Sequence, residues 1–66
     1  MDIGQRIKQC RILLEISQTE LAKELGIKQN MVSRYENNEM RPSYELLVKL
    51  ADIFNVTTDY LLGREN

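Results

Sequence analysis

The sequence predicts an all-α fold of five short helices, and three observations carry the prediction. Apolar residues recur at steps of three and four, as in Ile3, Ile7, Cys10 and Leu14, which is helical rather than strand periodicity. Asp2, Ser17, Ser43 and Thr57, residue types that favour helix N-termini, stand before four of the runs. Gly26, Asn38 and Gly63, which tolerate a left-handed backbone, stand after three. No alternating run, internal repeat or low-complexity segment competes with this pattern.

The first helix begins at Asp2, with Gln5 at the capping-box position. Ile3, Ile7, Cys10 and Leu14 form its buried stripe, Gln5, Arg6 and Gln9 face solvent, and Arg11 borders the stripe. Glu15 and Ile16 connect to the second helix, which opens on a full capping box, Ser17 with Glu20, stapled by Ile16 and Leu21. Leu21, Ala22 and Leu25 point inward, and Gly26 ends the helix. The third has Lys28 at its N-cap, a poor choice that costs about 1 kcal/mol relative to a good cap. Ile27 and Val32 still stand at staple spacing. Val32 and Tyr35 turn inward, which leaves Gln29, Asn30, Ser33 and Arg34 on the outward face.

Asn38 then accepts a positive φ at some cost, and Pro42 forces Arg41 towards an extended conformation. Ser43 caps a fourth helix with a wide apolar face: Leu46, Leu47, Leu50, Ala51, Ile53 and Phe54. The fifth is short, capped by Thr57, stapled by Val56 and Leu61 and stopped by Gly63, with residues 64–66 as a tail.

The middle of the chain is more than a generic helix pair. Ala22 is small where a second helix must cross closely. Gly26, four residues on, lets the chain reverse, and Val32, six after that, packs back onto Leu21 and Leu25. Two helices crossing at ~90–120° require this combination. Residues 17–37 resemble the helix-turn-helix of the Cro and phage-repressor (XRE-type) regulators, and the resemblance runs from Ile3 to Gly63. It implies one compact, lambda-repressor-like DNA-binding domain over residues 1–66. The chain departs from the family's habits at Lys28, where serine or threonine is preferred, and at Asn38, where glycine is usual.

The resemblance also implies roles. Gln29, Asn30 and Arg34 match the family's base-reading positions, with Ser33 a secondary candidate. Their chemistry suits the major groove: amides pair bidentately with adenine, and a guanidinium fork with guanine. Met31 either meets a thymine methyl group or fills a half-buried gap. Gln18, at the N-terminus of the second helix, matches a phosphate-contacting position, favoured by free N–H groups and the helix dipole. Lys28, Arg41 and Arg6 are further backbone candidates, and Arg41 is also placed to enter a narrow minor groove. Each of these cations has solvation as its plain alternative. In the family an arginine at the position of Arg11 pairs, partly buried, with a glutamate at that of Glu36; the alternative is a solvated flank.

Composition sets the outer bounds. Sixty-six residues with 42% hydrophobic content support one small core and exclude a disordered chain. One cysteine and no histidine leave no disulfide and no metal-ligand set, so no cofactor is expected, and Cys10 reads as a small buried hydrophobe. No Gly-rich phosphate loop or paired-carboxylate cleft points to an enzyme, and no pocket points to a small-molecule ligand. Without a signal peptide or membrane span, a cytoplasmic location is expected. Net charge is −1, but the segments differ: residues 1–16 carry +1, 17–42 carry zero and 43–66 carry −2. The acidic excess lies away from the third helix, and distribution matters more than the sum.

One recognition helix spans too few base pairs to discriminate within a genome, so a double-stranded, palindromic operator read by a homodimer is expected. Small regulators of the resembling family associate through their last helices, and here Ile53, Val56, Tyr60 and Leu62 are the candidates for that interface. The alternative is that all four complete the monomer core. The expected activity is transcriptional repression. The rival is a protein-interaction module such as the antitoxin partner of a toxin.

Overall fold

The computed structural model describes residues 2–64, which form five helices: α1 (Ile3–Leu13), α2 (Gln18–Leu25), α3 (Gln29–Glu36), α4 (Tyr44–Phe54) and α5 (Thr58–Leu61). No strand occurs among the described residues. Helix α3 packs against both α2 and α1, and α4 with α5 closes the other side. The core gathers Ile7, Leu21, Val32, Leu50 and Leu61, each almost wholly buried, so every helix contributes one of its largest members.

Four helices start as their caps dictate. The Gln5 N–H donates to Asp2 Oδ1 at 2.9 Å, and the Asp2 N–H donates to Gln5 Oε1 at 3.4 Å. Ser17 and Glu20 form the same reciprocal pair at 3.0 and 2.9 Å. Ser43 Oγ accepts from Leu46 N–H, and Thr57 Oγ1 from Tyr60 N–H. Lys28 supplies no side-chain cap to α3. Both boxed carboxyls, Asp2 and Glu20, are held below the usual carboxylate range, chiefly by the backbone N–H bonds they receive.

All five helices end in one device. A left-handed residue follows each: Glu15, Gly26, Asn38, Asn55 and Gly63, with φ between 56° and 74°. In each case its N–H and that of the next residue turn back onto carbonyls of the last helical turn. For α1 these are Glu15 N–H to Ile12 O at 2.9 Å and Ile16 N–H to Arg11 O at 3.3 Å, the paired bonds of a Schellman motif.

That ending corrects the stripe of α1. Leu14 does not join the core; it is 46% exposed, because the helix stops at Leu13 and Glu15 swings the chain away. The buried α1 residues are Gly4, Ile7 and Cys10, with Ile3 half-buried. Burial raises the Cys10 thiol pKa, while nearby Arg6 pulls the other way.

Candidate nucleic-acid interface

Helix α3 divides cleanly by period. Val32, Tyr35 and Glu36 are buried; Gln29, Asn30 and Arg34 are exposed on the other side, with Ser33 half-buried between them. Met31 is half-buried and packs against the core. Lys28 is exposed immediately before α3, and Arg41 is exposed in the loop after it. Arg41 lines a shallow hollow with Asp2, Ile3, Asn38, Pro42, Leu47 and Leu62.

Arg6 is not the solvated side chain its spacing suggests. Its guanidinium lies 4.7 Å from the centroid of the Tyr60 ring, and its Nε is buried without a hydrogen bond. The docking of α5 against α1 half-buries both residues. Tyr60, Ile53 and Val56 all pack partly onto the core, whereas Leu62 is 46% exposed. Of the four residues considered for a two-fold interface, Leu62 is the one left largely in solvent.

Behind the outward face lies a polar cluster. Glu36 Oε2 accepts from Arg11 Nε at 2.7 Å, and its Oε1 from Arg11 Nη2 at 3.3 Å; side-chain exposure is 1% for Glu36 and 13% for Arg11. Arg11 Nη1 also donates to the Ile16 carbonyl at 2.9 Å, which ties the α1–α2 connection to the same guanidinium. Gln18 Nε2 donates to Glu36 Oε1 at 2.9 Å, and Gln18 Oε1 accepts from Gln29 Nε2 at 2.6 Å. The Gln18 side chain is thus held between the end of α3 and its beginning. Around it, Ser17, Thr19 and Glu20 at the head of α2 are exposed.

Sequence reasoning missed two participants. Gly4 sits against the end of α3 and donates its N–H to Asn38 Oδ1 at 3.2 Å. The Gln18–Gln29 bond spans eleven residues, and only the return of α3 beside α2 brings its partners together. Among the described residues, no group of three or more His, Cys, Asp or Glu could hold a metal, and no helix is long and apolar enough to cross a membrane.

A small buried side at Ala22, a left-handed Gly26 and a second helix with an exposed polar face define a helix-turn-helix, and comparison with known proteins places it. A family profile described as helix-turn-helix matches residues 7–61. The transcriptional regulator ImmR of Bacillus subtilis (strain 168) is 40% identical over 65 residues, 98% of this chain and 51% of its own length. The cryptic phage CTXphi transcriptional repressor RstR of Vibrio cholerae serotype O1 is 36% identical over 64 residues, 97% of this chain and 57% of its own length. The chain therefore spans about half the length of these curated relatives. Among solved structures, the P22 c2 repressor in complex with a synthetic operator superposes with a TM-score of 0.92 at 32% identity, covering 98% of both chains. The chain belongs to the XRE-type helix-turn-helix family and has its lambda-repressor-like all-helical fold.

Proposed function

We infer that this chain is the DNA-binding domain of a sequence-specific transcriptional repressor, acting in the cytoplasm on a palindromic operator as a homodimer. The observation that carries the reading is the face of α3. Gln29, Asn30 and Arg34 are exposed together on a helix whose opposite side is buried in the core. Such a helix fits the major groove of B-DNA, where each base pair presents a distinguishable donor and acceptor pattern. Residues 1–66 act as one domain. Gln29 and Asn30 read adenine, Arg34 reads guanine, and Ser33 contributes a hydroxyl. Lys28, Arg41 and the N-terminus of α2 at Gln18 contact phosphates. Arg6, turned onto Tyr60, is the weakest of the phosphate candidates.

Selection of bound sequences from a random DNA pool tests the reading, followed by binding of variants to the selected operator. Gln29→Ala, Asn30→Ala and Arg34→Ala should each weaken specific binding by about 1–3 kcal/mol and leave non-specific binding almost unchanged. Lys28→Ala and Arg41→Ala should weaken both and flatten the salt dependence. A pool that yields no enriched sequence, with tight capture of a protein partner instead, would favour the interaction-module reading.

A further inference from the structure

The interface contains a chain of polar side chains with a direction. A carboxamide has two nearly isosteric ends, one an acceptor and one a donor, so its partners decide which way it faces. An ionised carboxylate only accepts. The buried Glu36 carboxylate, already receiving two Arg11 hydrogens, therefore obliges Gln18 to turn its Nε2 inward. Gln18 Oε1 is thereby left facing Gln29, which must answer with its own Nε2 at 2.6 Å. Gln29 then reaches the outside with a defined pair of functions: the Oε1 acceptor and the second Nε2 hydrogen. Adenine offers a donor at N6 and an acceptor at N7, the complement of that pair. If both amides reversed, Gln29 Oε1 would be engaged by Gln18 and its NH₂ group would lead outward. That arrangement suits the two acceptors of guanine, O6 and N7.

We propose that Glu36 is a specificity-positioning residue: its buried carboxylate, held by Arg11, fixes the polarity of the Glu36–Gln18–Gln29 chain and so makes Gln29 an adenine reader. This rests on the DNA-binding reading above and adds to it a residue that touches no DNA. The role is distinct from packing. It depends on Glu36 being unable to donate, and a change that keeps its shape but supplies a donor should alter base preference without dismantling the domain.

The test is Glu36→Gln, which retains an acceptor for Arg11 but adds an amide that can donate. Binding is measured to the selected operator and to versions altered only at the base pair opposite Gln29. Wild-type protein should prefer adenine there by about tenfold or more over guanine. Glu36→Gln should bring that ratio towards one, while preferences set by Asn30 and Arg34 persist. The double variant Gln18→Glu, Glu36→Gln provides a rescue. The amide at position 36 then donates to a carboxylate at position 18, which again accepts from Gln29 Nε2, so the adenine preference should return. A structural role alone would not produce that recovery.

Gln18→Leu leaves the Arg11–Glu36 pair intact and keeps the test decisive if Glu36→Gln fails to fold; it too should lose the adenine preference. Folded Glu36→Gln or Gln18→Leu protein that prefers adenine as strongly as wild type would overturn the proposal and leave the DNA-binding reading standing. A wild-type chain with no base preference at any position would overturn both.

Discussion

Gly4→Ala separates two opposing effects that the structure allows to be weighed. Ala is the better helix former, by up to about 1 kcal/mol in a helix interior and less in a first turn. Against this, a Cβ on Gly4 would stand 2.6 Å from the Tyr35 carbonyl oxygen, 2.6 Å from that of Glu36 and 2.7 Å from Asn38 Oδ1. Two of these atoms are backbone at the closing turn of α3. That turn is pinned by the Asn38 N–H to Tyr35 O bond at 3.2 Å and by the ion pair on Glu36, so it has little freedom to retreat. Ordinary contact requires α1 and α3 to part by most of an ångström, which also strains the Gly4 N–H to Asn38 Oδ1 bond. Overpacking of this kind costs about 1–3 kcal/mol and a weakened hydrogen bond about 0.5–1.5 kcal/mol. The clash wins, with a net loss of about 1–3 kcal/mol out of roughly 3–10 kcal/mol for a domain of this size. Urea melts followed by circular dichroism should show a lower midpoint at unchanged slope. Gly26→Ala is the control. Nothing lies within 4 Å of its added Cβ, and its φ of +71° alone sets a cost of about 1–2 kcal/mol. Gly26→Asn should recover part of that loss, because asparagine tolerates the left-handed region. A Gly4→Ala domain as stable as wild type would mean that the backbones of α1 and α3 do not approach this closely, and the reasoning would fail.

Arg11→Met strands a carboxylate with 1% exposure and one remaining amide donor, and should cost about 3–5 kcal/mol. Glu36→Leu should cost less, since Arg11 keeps the Ile16 carbonyl and lies nearer solvent, and the double variant less than the two singles added; simple additivity in denaturant melts would refute the coupling. Leu62→Asp, at a site half in solvent, should give a folded chain that sediments as a monomer and no longer fills both halves of a palindrome together; unchanged association would move the two-fold interface elsewhere. The depressed carboxyl of Glu20 adds stability that is present above its ordinary pKa of 4.5 and lost as pH falls through its lower folded value. Glu20→Gln should therefore lose less stability than wild type between pH 4.5 and strong acid, measured as the fall in melting temperature.

Much of this architecture was legible because caps and periods are local. Ser17 with Glu20 announces a helix start, and Gly26 and Gly63 announce ends, from residue type alone. The left-handed Glu15 and Asn55 were not legible from the chain, for different reasons. Glutamate has no preference for positive φ, and Asn55 sits in a run where several residues could have ended α4. The misplacement of Leu14 followed from the first of these: a period continues through a helix end unless the end is seen. Which residues of α3 face outward was readable from Val32 and Tyr35. The burial of Arg6 was not, because it depends on where α5 sets Tyr60. The amide chain through Gln18 was equally beyond reach, since it joins residues eighteen and eleven positions apart.

Stability alone gives a poor account of Glu36. Replacing a buried ion pair by apolar residues of similar volume is often neutral or stabilising, so the domain could close its core at this point without any charge. The structure instead brings three helices to one carboxylate: Arg11 from α1, Gln18 from the head of α2, and Glu36 itself from the end of α3. An apolar cluster would hold the same helices together but would set no direction on the polar groups around it. A carboxylate does, because it accepts and never donates. The bond from Gln29 to Gln18 continues the chain and ties the first turn of α2, where a phosphate is proposed to lie, to the first turn of α3, where a base is proposed to lie. One buried charge thus orients, through Gln18, the amide on the surface proposed to meet DNA. A purely hydrophobic replacement would hold the same helices but leave the amides of Gln18 and Gln29 without a set direction.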